Sequence, residues 1–393
     1  MKSDRGWDPR FLLVICRAGA ASSISWRTVD PMLPVMSVDL GVSLTDAALL
    51  STAYSVPMAL AALFFGPAGD ALGKVRLIRV ALALVALSQL VVAIAPNFTT
   101  VFLARAVAGV FAGGLNPVSI ALIGDRVPME HRQVALSRFL IASILAQTLG
   151  AAAAGVLSEV IGWRPVFVIV GLAVAAVLAA TVLLPKEEPH PAKWPKLGTV
   201  LAAYASVFTN RTSQLILGTL MLEGLLVLGL LPFVGGLVVT HAGGGATEAG
   251  LVIAAFAAGG IVYGFIVRRL LATLGRWNLV RAGGIAIAAG FIATLLPVHW
   301  SVITLFFFVA GLGFYMFHGT IQNLATEILP GARGTAMSLV AFFFYVGQGL
   351  GPVIGGQVAV AAGYDAVYAL GGVLMLLLGF GIASLLTGRI AKR

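Results

Sequence analysis

The chain is a succession of long apolar stretches separated by short polar segments. The stretches do not alternate between apolar and polar positions, as the strands of a membrane barrel do over about 10 residues. The pattern therefore predicts an all-α membrane protein. Because about 20 apolar residues cross a bilayer as a helix, twelve transmembrane helices are predicted, at about 11–36, 44–68, 77–95, 100–123, 136–158, 164–184, 213–239, 247–267, 279–297, 301–325, 335–358 and 365–387.

Two Gly-rich segments repeat within this series. Gly150 and Gly155 lie in the fifth predicted helix, and Gly351 and Gly356 lie in the eleventh, 201 residues later. Aromatic residues downstream of each segment keep the same spacing. A duplicated set of spanning helices is typical of secondary transporters. The repeat therefore predicts two pseudo-symmetric halves of six helices each.

The longest polar stretch divides the two halves. Residues 185–195 include four prolines, which exclude a regular helix through most of the stretch. We therefore expect an N-terminal half at 1–184, a cytoplasmic linker at 185–212 and a C-terminal half at 213–393. Apolar residues after the prolines recur at helical spacing and predict a short amphipathic helix on the membrane surface, at Leu197, Val200, Leu201, Tyr204 and Phe208.

Composition and charge agree with this topology. The chain is 60% hydrophobic and 10% charged, whereas soluble domains carry about 25% charged residues. Lys and Arg gather in the loops on one side, and the opposite loops contain only Arg164. Since basic residues stay in the cytoplasm, both termini are predicted to be cytoplasmic, in a bacterial inner membrane. The net charge of +10 then reflects topology, and nucleic acid is not an expected partner.

The segment after the second predicted helix carries the first family signature. Gly66, Asp70, Gly73 and Lys74 resemble the loop motif G-x-x-x-D-R-x-G-R-R of the major facilitator superfamily, with Ala71 in place of the first basic residue. The resemblance implies a charged gate between the halves on the cytoplasmic side. Asp125 is the expected partner of Lys74.

Two further motifs resemble the drug:proton antiporters and sugar-efflux permeases of this superfamily. Arg105 and Gly109 match an R-x-x-x-G element in the fourth helix. The eleventh helix contains a complete G-x-x-x-G-P-x-x-G-G motif, whose glycines allow close helix crossing and whose proline can bend the helix for gating, at Gly347, Gly351, Pro352, Gly355 and Gly356.

Ionisable residues inside the predicted helices are candidates for transport chemistry, because they are costly at that depth. Arg27 and Asp30 share one helix face, so they are either a structural ion pair or part of the cavity, with Asp30 as a proton carrier. Glu223 has no basic residue within one helical turn and suits reversible proton binding. The family resemblance implies that Arg105 supports proton coupling near the cavity.

Uncharged polar residues and one histidine complete the candidate set. They either add hydrogen bonds to a ligand or hold helices together, two roles that the pattern leaves open. These residues are Asn116, Gln147, His318, Gln322 and Gln348.

No cofactor, metal or nucleotide site is predicted. Gly73-Lys74 lacks the other residues of a phosphate-binding loop. The five histidines are scattered, and Cys16 is the only cysteine, so neither forms a metal-binding cluster. We find no catalytic constellation, so we do not expect an enzyme.

The sequence predicts a secondary active transporter of the major facilitator superfamily. The expected function is proton-coupled efflux of a small organic molecule by alternating access. The expected partners are that substrate, protons and the lipid bilayer, with the protein acting as a monomer. The alternative is proton-coupled uptake of a small organic anion, and a membrane sensor that does not transport is less well supported.

Overall fold

The computed structural model describes residues 9–184, 197–325 and 333–390. These residues form a helical protein, and no strand is found in them. The α-helices are α1 Pro9–Arg27, α2 Leu33–Leu40, α3 Leu44–Leu72, α4 Lys74–Ala93, α5 Phe98–Arg126, α6 Met129–Ile161, α7 Trp163–Ala180, α8 Leu197–Phe208, α9 Arg211–Leu226, α10 Val234–His241, α11 Ala246–Ile292, α12 Trp300–Ala325, α13 Arg333–Ala362 and α14 Tyr364–Ile390. We call α1–α7 the first helix group and α9–α14 the second.

The described part of the chain contains ten helical segments that are long and apolar enough to cross a membrane. One of them, 246–295, is 50 residues long and holds the eighth and ninth predicted helices together. Both predicted helices are present, but the loop expected between them is reduced to a break at Gly275, because helical backbone continues up to that residue on both sides. The chain reverses at Gly275, whose φ of 72° is in the region that favours glycine.

The first predicted helix is wrong as a single continuous element. It is interrupted after Arg27 by a short 3₁₀ turn at Asp30–Met32, and α2 follows. The second helix group has the matching break, a 3₁₀ turn at Leu228–Phe233 between α9 and α10. Pro31 and Pro232 lie in these breaks, 201 residues apart. A proline inside a helix removes a hydrogen bond and clashes with the preceding turn, which accounts for a break at each of these positions. Because the two prolines keep the repeat spacing, the internal repeat includes the breaks.

Backbone geometry repeats with the sequence. Every residue with positive φ in the described part of the chain is a glycine. These glycines form three pairs whose members are 201 or 202 residues apart: Gly41 with Gly243, Gly73 with Gly275, and Gly162 with Gly363. In each pair, both glycines lie where a helix ends or the chain reverses. The structure therefore supports the internal duplication read from the sequence.

The helices alternate in direction, so the bundle has two ends. The near end contains the start of α1 and the α3–α4 turn, and Lys74 there pairs with Asp125. The far end contains the turn between α2 and α3 and the start of α7. At the far end, Asp39 accepts a hydrogen bond of 3.1 Å from Trp163 Nε1 and pairs with Arg164.

Candidate functional site

The predicted pair of Arg27 and Asp30 is formed and buried. Arg27 Nη1 lies 3.1 Å from Asp30 Oδ2, and the two side chains are 3% and 1% exposed. Ser51 of α3 donates a hydrogen bond of 2.6 Å to Asp30 Oδ1. Both carboxylate oxygens therefore have protein partners where the first long helix breaks.

Arg27 also reaches the second helix group. Its Nη2 donates to Gln348 Oε1 of α13 at 2.8 Å, and Nη1 donates to the Leu228 carbonyl oxygen at 3.4 Å. The guanidinium carbon lies 4.2 Å from the ring centroid of Trp26, within the range of a cation–π contact. One side chain thus joins the two helix groups inside the bundle.

Arg105 of α5 is fully buried and bonded to backbone. It donates to the carbonyl oxygens of Ser25 at 2.9 Å, Trp26 at 3.1 Å and Leu50 at 3.3 Å. The carbonyls of Ser25 and Trp26 belong to the last turn of α1, where the carbonyl oxygens receive no hydrogen bond from the backbone of the same helix. A cation there is favoured by the helix dipole. Arg105 therefore holds the broken end of α1 against α3 and α5.

Glu223 of α9 is completely buried, and its partner comes from another helix. His318 Nδ1 of α12 lies 3.2 Å from Glu223 Oε1 and 3.3 Å from Oε2. The imidazole ring packs against two aromatic rings, with centroid distances of 5.2 Å to Phe314 and 4.7 Å to Phe344. This is a carboxyl–imidazole pair in an aromatic setting. Whether it carries a charge depends on the protonation of its two members.

Three other predicted polar residues, Asn116, Gln147 and Gln322, form no hydrogen bond with this pair or with Arg27 in the part of the chain that the structure describes. Asn116 Oδ1 of α5 is buried and has no hydrogen-bond partner in the part of the chain that the structure describes. Gln147 of α6 is half-buried, and Gln322 of α12 is exposed. The structure therefore does not gather all the candidates into one cluster.

The structure describes part of the residue set for which a gate is predicted. Lys74 Nζ lies 2.8 Å from Asp125 Oδ2, which confirms the expected partner. Gly73 has a φ of 91° and separates α3 from α4. The side chain of Asp70 and the surroundings of Gly66 lie outside what the structure describes.

The Gly-rich motifs lie at close helix contacts. A β-carbon at Gly150 would overlap the Ile24 side chain, and one at Gly155 would overlap the Ala246 carbonyl oxygen of α11. In the eleventh predicted helix, a β-carbon at Gly347 would overlap the Met221 carbonyl oxygen. Gly351 faces Gly229, and Gly355 faces the Phe233 ring. Pro352 is buried within α13, which continues through it.

Contacts between the two helix groups close the far end of the bundle. Glu159, at the end of α6, accepts hydrogen bonds from the backbone and hydroxyl of Thr247, in the first turn of α11. Gly235 of α10 lies against Pro34 of α2. Nearer the middle, Thr52 Oγ1 of α3 donates to the Gly349 carbonyl oxygen at 2.8 Å.

Sequence reasoning missed the contacts that link distant positions. His318 was predicted as a ligand contact or a helix-packing residue, and it is the partner of Glu223, 95 residues away. Gln348 is 321 residues from Arg27. Neither pairing has a signal in the local pattern. The burial of an isolated charge does predict that some partner must exist.

Comparison with known proteins agrees with this architecture. A sequence profile of the Major Facilitator Superfamily matches residues 15–332 and 243–392. The crystal structure of a POT family transporter in complex with 5-aminolevulinic acid matches with a TM-score of 0.78, over 95% of both chains and at 10% identity. At that identity, the match shows a common fold.

Two relatives are named for drug resistance. The quinolone resistance protein NorA of Staphylococcus aureus is 26% identical over 339 residues, which are 84% of each chain. The puromycin resistance protein pur8 of Streptomyces alboniger is 33% identical over 189 residues, which are 47% of this chain and 37% of that protein. These relatives fit the predicted resemblance to the drug:proton antiporter branch. The chain belongs to the Major Facilitator Superfamily, and it is a membrane transporter of small molecules.

Proposed function

We propose that this transporter exports small organic molecules in exchange for protons. The observation that carries the proposal is the buried pair of Glu223 and His318. The direction is supported by the two relatives named for resistance to quinolones and to puromycin, because export of a drug is one way to withstand it.

Glu223 is the better proton carrier of the two candidate carboxylates. No lysine or arginine contacts it among the described residues, and its partner His318 can be neutral or charged. Gain or loss of a proton therefore changes the net charge of the pair, and a buried net charge is costly. The cost can be avoided if the pair takes up or releases its proton when the site faces water.

Asp30 and the two buried arginines suit structural roles instead. Protonation of Asp30 would leave Arg27 with only neutral acceptors in the protein interior, which is unfavourable. Arg105 already donates to three carbonyls. With both guanidiniums engaged, uptake of an organic anion has less support than export.

Transport would follow alternating access between two pseudo-symmetric halves, at 1–184 and 213–393, joined by the linker 185–212. The closed far end represents one of the two states. The basic near end would face the cytoplasm, and Asp70, Gly73, Lys74 and Asp125 would then form a cytoplasmic gate. We propose a monomer in a bacterial inner membrane.

The proposal is tested with purified protein in liposomes. A panel of small organic compounds is screened for movement driven by an imposed pH gradient and abolished by a protonophore. Glu223→Gln should fold, lose gradient-driven transport and retain exchange of substrate for substrate. Glu248→Gln is the matched control, since Glu248 caps the start of α11 at the far end. Full gradient-driven transport by Glu223→Gln would contradict the proposal.

A further inference from the structure

The amide of Gln348 lies where the two helix groups meet. It is 2% exposed, and its oxygen accepts the 2.8 Å hydrogen bond from Arg27 Nη2. The next residue, Gly349, accepts from Thr52 of the first group, and a β-carbon on it would overlap Val56. The bond from Arg27 therefore lies within a tightly packed part of the interface.

The first helix group fixes the direction in which Arg27 points. Its Nη1 atom is held by Asp30, and Ser51 holds the other oxygen of that carboxylate. The face of the guanidinium is covered by the Trp26 ring. With one nitrogen and one face engaged by its own group, Arg27 presents Nη2 to the other group. Arginine is suited to such a fixed, planar arrangement.

The internal repeat can form this contact between the halves at only one of its two equivalent pairs of positions. Gln147 is the position equivalent to Gln348, 201 residues earlier, and Leu228 is the position equivalent to Arg27. The duplicated half thus keeps the glutamine but has no cation at the other position. The Arg27–Gln348 bond is therefore a feature specific to one side of the pseudo-symmetric interface, and the repeat does not require it for packing.

We propose that Gln348 is a positioning residue for transport, which receives Arg27 across the interface and holds the far end closed until the bond breaks in each cycle. The inference rests on the proposed alternating-access function. A hydrogen bond to a charged group changes an equilibrium constant by about ten- to a hundredfold. Loss of the Gln348 oxygen should therefore shift the protein by about that factor toward the state with an open far end.

The test measures the distance across the far end of the full-length protein in lipid nanodiscs. Ile94 and Val360 are 80% and 77% exposed at this end of the two groups. Replacing both with cysteine, in a Cys16→Ser background, allows spin labels to report closed and open populations. Gln348→Ala should raise the open-to-closed ratio about ten- to a hundredfold. Gln357→Ala, an exposed glutamine on the same helix, should leave the ratio unchanged.

Gln348→Glu provides the opposite perturbation. It places a second carboxylate beside Arg27, so it should hold the far end closed and slow substrate turnover. The inference is overturned if Gln348→Ala and Gln348→Glu both give the wild-type ratio, or if both shift it in the same direction. If Gln348→Ala does not fold, the Gln348→Glu result decides alone. A shifted ratio in protein whose substrate transport does not respond to a pH gradient would keep the inference and contradict the proposed proton-coupled export.

Discussion

Removal of the Asp30 charge tests the role of the buried ion pair. Asp30→Asn leaves Arg27 charged and almost fully buried, since its side chain is 3% exposed. The variant retains an oxygen that can accept from Ser51, so the main loss is the carboxylate charge. We therefore expect a large loss of stability with little change in shape.

The size of this loss follows from the contacts that remain. Breaking a buried pair by removing one partner costs about 3–5 kcal/mol. Arg27 would keep the Gln348 and Leu228 oxygens and the Trp26 ring. These neutral partners place the expected cost near the lower limit, at about 3 kcal/mol. Adding Arg27→Gln removes the stranded charge, so the double variant should recover to within about 1 kcal/mol of the wild type.

The assay is reversible unfolding in mixed detergent micelles, followed by circular dichroism. Asp39→Asn is the control, because the Asp39–Arg164 pair at the far end is 44% and 38% exposed and should contribute less than about 1 kcal/mol. The reasoning is refuted if Asp30→Asn unfolds together with the wild type. If that stable variant also lost gradient-driven transport but kept exchange, Asp30 would be the proton carrier in place of Glu223.

Three further predictions concern helix contacts. Arg105→Lys should lower stability by about 2 kcal/mol, because one ammonium cannot reach three carbonyls on two helices; equal unfolding midpoints would contradict this. Gly347→Ala should sharply reduce the yield of folded protein, since the added carbon overlaps the Met221 carbonyl, whereas Gly381→Ala has open space and should not. Asp125→Asn should cost less than about 1 kcal/mol, because Asp125 is 54% exposed; if transport falls while unfolding is unchanged, the residue acts in gating.

Much of the fold was predictable because it depends on local pattern. A long apolar run must form its hydrogen bonds internally in a bilayer, so the run itself indicates a helix. The repeat spacing of Gly150 and Gly351 predicted a duplication, and the paired positive-φ glycines support it. The break after Arg27 was not predicted, because proline is tolerated inside transmembrane helices and Pro31 alone does not mark its position; α13, for example, runs through Pro352.

The site was less predictable because its partners are remote in sequence. Burial of Glu223 and Arg27 could be expected from their position in apolar runs. Their partners His318 and Gln348 follow from helix packing between distant segments, which periodicity does not specify. Arg105 was expected near the cavity from its motif, and its bonds to three carbonyls appear only once the end of α1 is placed in three dimensions.

Direct measurement of proton movement during transport tests the central proposal. Wild-type protein is reconstituted in liposomes that contain a pH-sensitive dye, without an imposed pH gradient, and a concentration gradient of a transported compound is applied. Proton-coupled export predicts that protons move opposite to the compound and that a protonophore removes the pH change. Protons moving in the same direction as the compound would indicate symport, and substrate movement without any pH change would contradict proton coupling.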